Sequence, residues 1–236
     1  MRSVPPFVFV SLLGLAACAP AGSSAFVSAN VPLTGDCTPV EGTQVLSTGT
    51  YDVLGKTTEK KNCVKPYTMS LLVNSNLKSN SNTALGRSEP NTLLIRYADV
   101  TLMDKDQGAY EFADAAKFPN PYRVHTSVSL PPTDGNDPTT GYVTLDAIPS
   151  TYGEVLRRFA GDSIMVEVQL FGTTVGDVDV DFAPFLYPLS ICSDCLSTCR
   201  GDPRWAADPA ELTELNSGQC NDKRPQDGRY CVDDEC

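Results

Sequence analysis

Histidine occurs once, at position 125, and that scarcity excludes whole classes of chemistry. One imidazole cannot build a multi-histidine metal centre. A Ser-His-Asp hydrolase would have to be assembled around His125, and no G-x-S-x-G stretch is present to supply the nucleophile turn. Positive charge is also scarce: 18 Lys and Arg face 29 Asp and Glu, a formal charge of −11. So acidic a chain is a poor electrostatic match to nucleic acid or to anionic lipid head groups, and no nucleic-acid partner is expected. No apolar run reaches the roughly 20 residues that span a bilayer. The 18 Pro and 17 Gly follow no period, which excludes collagen-like and solenoid architectures. Hydrophobic residues make up 41%, enough for a packed core.

What is present begins at the N-terminus. Arg2 supplies a positive charge, Phe7 to Leu15 is a short apolar segment, and the small residues Ala16 and Ala17 follow. Together they read as a cleaved export signal over residues 1–17. Leu15-Ala16-Ala17-Cys18 resembles the lipobox of bacterial lipoproteins. The resemblance implies a diacylglyceryl group on the Cys18 thiol, cleavage before it and acylation of the new amine. Several acyl chains hold a stable anchor, because each buried CH₂ contributes about 0.8 kcal/mol. The plainer alternative is an ordinary signal peptide with Cys18 as a spare thiol. Ala19, rather than Asp, follows the cysteine, which in enterobacterial lipoproteins favours the outer membrane.

Of 9 cysteines, removal of Cys18 leaves an even set: Cys37, Cys63, Cys192, Cys195, Cys199, Cys220, Cys231 and Cys236. An even set in an exported chain predicts a disulfide framework. Distance along the chain groups Cys37 with Cys63 and leaves six cysteines to close among themselves, with the pairing open. Cys192-x₂-Cys195-x₃-Cys199 also has the spacing of a zinc site or redox dithiol. An oxidising compartment disfavours the thiolates zinc needs, and a thioredoxin-type pair belongs to a βαβ setting. Disulfides are therefore the preferred reading, with neither metal nor cofactor expected.

Residues 18–35 are small and polar and read as a flexible tether. Residues 36–188 carry the signature of an all-β, antiparallel sandwich of immunoglobulin or fibronectin type: short alternating segments separated by turn clusters. Strands are predicted over Tyr67–Val73, Asn91–Asp104, Arg123–Leu130, Tyr142–Ile148, Ile164–Leu170 and Val178–Phe182. Apolar parity changes within Asn91–Asp104, which predicts a bulge near Ala98–Asp99. One short helix is predicted where Tyr152, Val155, Leu156 and Phe159 share a face, with Thr151 and Glu154 as a capping box and Gly161 as its end. Residues 189–236 form a cysteine-rich tail too small to hold itself together without disulfides. Asp208-Pro209 is a helix start there.

The remaining candidates are weak. Asp177, Asp179 and Asp181 alternate on one predicted strand face and are a marginal Ca²⁺ set, because residues i and i+2 stand about 7 Å apart. Asp134, Asn136 and Asp137 in a loop are no stronger. Arg200-Gly201-Asp202 matches an adhesion tripeptide, but a turn after Cys199 explains it. His125 falls with Arg123, Ser127 and Ser129 on the polar side of its strand.

The lipobox, the single sandwich, a strand running into Ile191-Cys192-Ser193-Asp194-Cys195 and a tail containing Pro225-Gln226-Asp227-Gly228 resemble uncharacterised cysteine-rich lipoproteins of myxobacterial envelopes. The resemblance implies a location and an architecture, and no catalytic residues. The expectation is a lipid-anchored envelope protein with a non-enzymatic binding or structural role toward an envelope protein or glycan. An exported carboxylate-based enzyme or a Ca²⁺-dependent carbohydrate-binding module is the alternative.

Overall fold

A computed structural model describes residues 24–33, 38–40, 42, 44–53, 66–80, 89–193, 195, 198–199 and 220–221. The fold is all-β. Strands β1 (Ala25–Asn30), β3 (Tyr67–Ser75) and β6 (Thr139–Ile148) form one antiparallel sheet in the order β1-β3-β6. The second sheet runs β2 (Gly49–Asp52), β9 (Phe185–Cys192), β7 (Ser163–Thr174), β4 (Leu93–Met103), β5 (Tyr122–Leu130). The short β8 (Asp179–Asp181) also pairs with β7. The pairing of β2 with β9 is parallel, from Gly49↔Leu189 to Asp52↔Cys192. A two-stranded ladder of β10 (Thr198–Cys199) and β11 (Cys220–Asn221) sets Cys199 directly opposite Cys220.

The core lies between the two large sheets, as the alternation requires. Tyr67, Met69, Leu71 and Val73 of β3 are fully buried, as are Leu93, Ala98, Val100 and Leu102 of β4. Ile164, Val166, Val168 and Leu170 of β7 are at most 1% exposed, which meets the alternation read from their sequence. Each such side chain contributes about 1.5–3 kcal/mol by leaving water. On β5, Val124, Thr126 and Val128 face inward and are half-buried, while Arg123, His125, Ser127 and Ser129 are exposed.

Three differences from the sequence reading have physical causes. The register of β4 slips between Ile95 and Tyr97, not near Ala98–Asp99. Tyr97 looks like a core residue, but its ring lies outside, stacked on Phe171 with centroids 4.9 Å apart. The small Ala98 takes the core position. Ala25–Asn30, read as tether, is strand β1: Ala25 is buried, and just beyond the strand Val31 and Leu33 are buried too. Val178 does not continue the alternation of Val180 and Phe182, because it lies in the turn before β8 and is 62% exposed.

The predicted helix is a single α turn, α1 (Gly153–Leu156), with a 3₁₀ turn on each side at Ser150–Tyr152 and Arg157–Phe159. No capping box forms: no side chain caps the segment. Glu154 instead accepts a hydrogen bond from Lys117 at 2.8 Å, and that ammonium holds its carboxyl below the usual range. Gly161, at φ +100°, follows the helical run, a conformation glycine tolerates and other residues rarely adopt.

Three tyrosines meet in the core: Tyr51 and Tyr67 edge to face at 6.0 Å, and Tyr67 and Tyr187 tilted at 6.5 Å. The Tyr51 hydroxyl is buried and has no hydrogen-bond partner among the described residues. Burial pushes its ionisation well above the ordinary tyrosine range, with the nearby Asp52 adding to the effect. The folded state therefore keeps this proton longer than the unfolded chain does. That contribution is fully present below the unfolded value of about 10 and is lost as pH rises toward the folded one. Tyr51→Phe is expected to stabilise the protein by about 1 kcal/mol near neutral pH, because it removes an unsatisfied buried group. Its advantage should widen above pH about 10. Urea titrations of both proteins across that range check the prediction.

Candidate functional site

The outer face of the five-strand path carries polar side chains in rows set by strand register. One row crosses β5, β4, β7 and β8 as His125, Tyr97, Phe171 and Asp181. The next contains Arg123, Asp99 and Gln169. Arg123 grips Asp99 through two hydrogen bonds, at 2.7 and 2.9 Å. Its guanidinium lies 3.7 Å from the Tyr97 ring centroid. Arg123, Tyr97 and Phe171 thus form a ladder whose inner ring faces are already occupied. A ladder of this kind orders an exposed sheet face through cation–π and stacking contacts. The His125 imidazole and the Asp181 carboxylate stand exposed beside it on the same face.

Asp179 and Asp181 are exposed on β8, and Asp177 sits in the preceding turn at φ +61°. Their carboxylates do not converge on one point: among the described residues, the grouping of three potential ligand side chains within 4.8 Å is a different one. In the 134–137 loop the acids are exposed, and the loop carbonyl of Gly135 accepts a hydrogen bond from the Lys78 ammonium. A protein cation therefore already uses that oxygen.

The converging group is Asp52, Cys192 and Cys195, with one ligand atom of each within 4.8 Å of the others. The parallel pairing of β2 with β9 creates it. Tyr51 and Val53 point into the core, so Asp52 takes the outer face. Ile191 points inward, so Cys192 takes the same outer face beside it. The Val53 amide donates to the Cys192 carbonyl at 2.9 Å and closes the ladder at this point. Asp52 is only 4% exposed. Cys192 and Cys195 are half-buried and joined by a disulfide with Cα atoms 5.9 Å apart. A bridge across so small a loop restricts the unfolded chain little, about 2 kcal/mol in the chain-entropy picture.

Sequence reasoning named both cysteines and did not find Asp52. The only linear signal was the in-out parity of Thr50-Tyr51-Asp52-Val53, too short to distinguish a strand from a loop. Cys18, Cys37, Cys63, Cys231, Cys236, the Arg200-Gly201-Asp202 tripeptide and the Asp208 helix start lie outside the described residues.

No protein-family model matches the chain, and no curated protein matches it. Among solved structures it is similar to the CooA pilin subunit from enterotoxigenic Escherichia coli. Identity is 11% over 70% of this chain and 96% of the pilin, with a TM-score of 0.23. A superposition of that quality establishes neither fold nor function. Among the described residues no helix is long and apolar enough to cross a membrane.

Proposed function

We propose that this chain is a lipid-anchored protein of the bacterial envelope, of the cysteine-rich kind it resembles. Its β-sandwich serves as a non-enzymatic binding or structural module. The observation that carries the reading is the distance from Cys18 to the sandwich. Strand β1 begins at Ala25, so only residues 19–24 separate it from the lipobox cysteine. Six residues span at most about 20 Å. Acyl chains on Cys18 would hold the sandwich against the membrane, too close to reach a distant partner, so the partner is itself an envelope component. The outer membrane is the preferred site because Ala19 follows the cysteine. The face carrying His125, Asp99, Arg123 and Asp181 is the contact surface this reading favours, for an envelope protein or a glycan.

Cys18→Ser tests the anchor. The exported variant is expected to move from the membrane pellet to the soluble fraction and to lose an acyl-sized mass, with the sandwich still folded. A variant that stays in the pellet at wild-type mass would sink the lipoprotein reading. Cross-linking from the outer sheet face in native envelopes, with the Cys18→Ser form as control, then tests for a retained partner.

A further inference from the structure

We infer that Cys192–Cys195 is an exchange-active disulfide and that Asp52 carries the proton for the exchange. This goes beyond the binding role and needs only export, not the lipid. Three observations converge. The two sulfurs and the Asp52 carboxylate lie within 4.8 Å of one another. The carboxylate is buried while both cysteines remain half-exposed, so an incoming thiol has access and bulk water has little. Asp52 and Cys192 are held side by side by the end of the β2–β9 ladder, and the disulfide ties Cys195 to them.

Exchange needs a thiolate to attack and a sulfur to leave. A thiolate expelled beside a carboxylate is disfavoured by like charge unless it is protonated as it forms. Asp52 meets that need. It takes the proton of the attacking thiol of an exported protein dithiol. The resulting thiolate attacks one sulfur, the Cys192–Cys195 bond breaks and a mixed disulfide forms. Asp52 passes the proton to the expelled sulfur. The donor's second thiol then gives its proton to Asp52 and attacks the donor sulfur of the mixed disulfide. The donor leaves as a disulfide, and Asp52 protonates the last cysteine. Two electrons and two protons have moved from donor to protein, and Asp52 ends as it began. The sulfurs are bonded to each other, which removes the thiolates a metal would need, so exchange fits better than metal binding.

The test uses the full-length exported protein in detergent with dithiothreitol as the donor. Opening of Cys192–Cys195 is followed by alkylation and peptide mass from about pH 5 to 8. In wild type the bond is expected to open in the folded protein, with a rate at neutral pH about tenfold above that of Asp52→Asn. The variant's rate should follow only the ionisation of dithiothreitol, and the wild-type rate should exceed it across the range. If Asp52→Asn does not fold, the solvent deuterium isotope effect on wild-type opening decides alone: a rate clearly slower in deuterium oxide supports proton transfer at Asp52, and an unchanged or faster rate overturns it. Equal or faster opening in the variant, a wild-type bond that opens only on unfolding, or free thiols holding zinc in protein from native envelopes would each overturn the inference.

Discussion

Asn120→Ala is expected to lower the unfolding free energy by about 3 kcal/mol, a loss of three hydrogen bonds at roughly 1 kcal/mol each. The pairing of β4 with β5 ends at Val100↔Tyr122, which leaves the Leu102 backbone without a β5 partner on that side. The Asn120 side chain fills the gap like one more residue of strand. Its Oδ1 accepts from the Leu102 amide at 2.8 Å, and its Nδ2 donates to the carbonyls of Leu102 and Tyr110 at 2.8 and 2.9 Å. Alanine leaves the Leu102 amide unmatched beside a fully buried side chain. Asn120→Asp keeps the acceptor but sets a carboxylate against two carbonyl oxygens, so it should cost at least as much. Thermal unfolding of the three proteins provides the check, with an expected drop in Tm of roughly 8 °C for alanine. An Asp variant as stable as wild type would show that the two donated bonds contribute nothing.

Gly172→Ala is expected to cost about 2–3 kcal/mol, the range for forcing an extra methyl into a packed site. Gly172 is buried near the C-terminal end of β7, opposite Ile95 of β4 and Val180 of β8. The β4 bulge brings that backbone close: an added Cβ would stand 2.8 Å from the Leu94 carbonyl oxygen and 3.1 Å from Leu93 Cδ1. The first of these is backbone and cannot swing aside. Either β7 shifts or the bulge is pressed out of register. Gly161→Ala is a useful contrast, since nothing lies within 4 Å of its added Cβ and the cost there comes from φ alone. Urea midpoints of the two variants should therefore fall by different amounts, with Gly172 the more damaging. A Gly172→Ala protein within about 0.5 kcal/mol of wild type would overturn the close-approach argument.

The parts of the fold that were legible in the sequence are those where side-chain parity is strict. Val124 to Leu130 and Ile164 to Leu170 alternate without interruption, and both are strands with the expected faces. Legibility failed where a residue's chemistry pointed away from its position. Tyr97 is aromatic yet external, so the bulge was placed too late. Ala25–Asn30 is small and polar in composition yet pairs along β3. Phe185–Cys192 carries Pro188, which weakens a strand reading, and the strand crosses the expected domain boundary at residue 188. The Asp52 group was not legible because it joins residues 140 positions apart (52 and 192) through a ladder no local pattern encodes.

That same ladder sets an order of events for a chain that emerges N-terminus first during its synthesis. Residues 49–52 emerge early and must wait for residues 185–192 before their strand has a neighbour. β3 is in the same position with respect to β6, but over a shorter stretch, since Ser75 pairs with Thr139. The β1–β3–β6 sheet can close while the second sheet still lacks β9. During that interval the edge of β7 that will receive β9 stands open, together with the apolar surface that Tyr187, Leu189 and Ile191 will cover. A chain arrested before Phe185 would leave this protein as a half-built sandwich with an open strand edge.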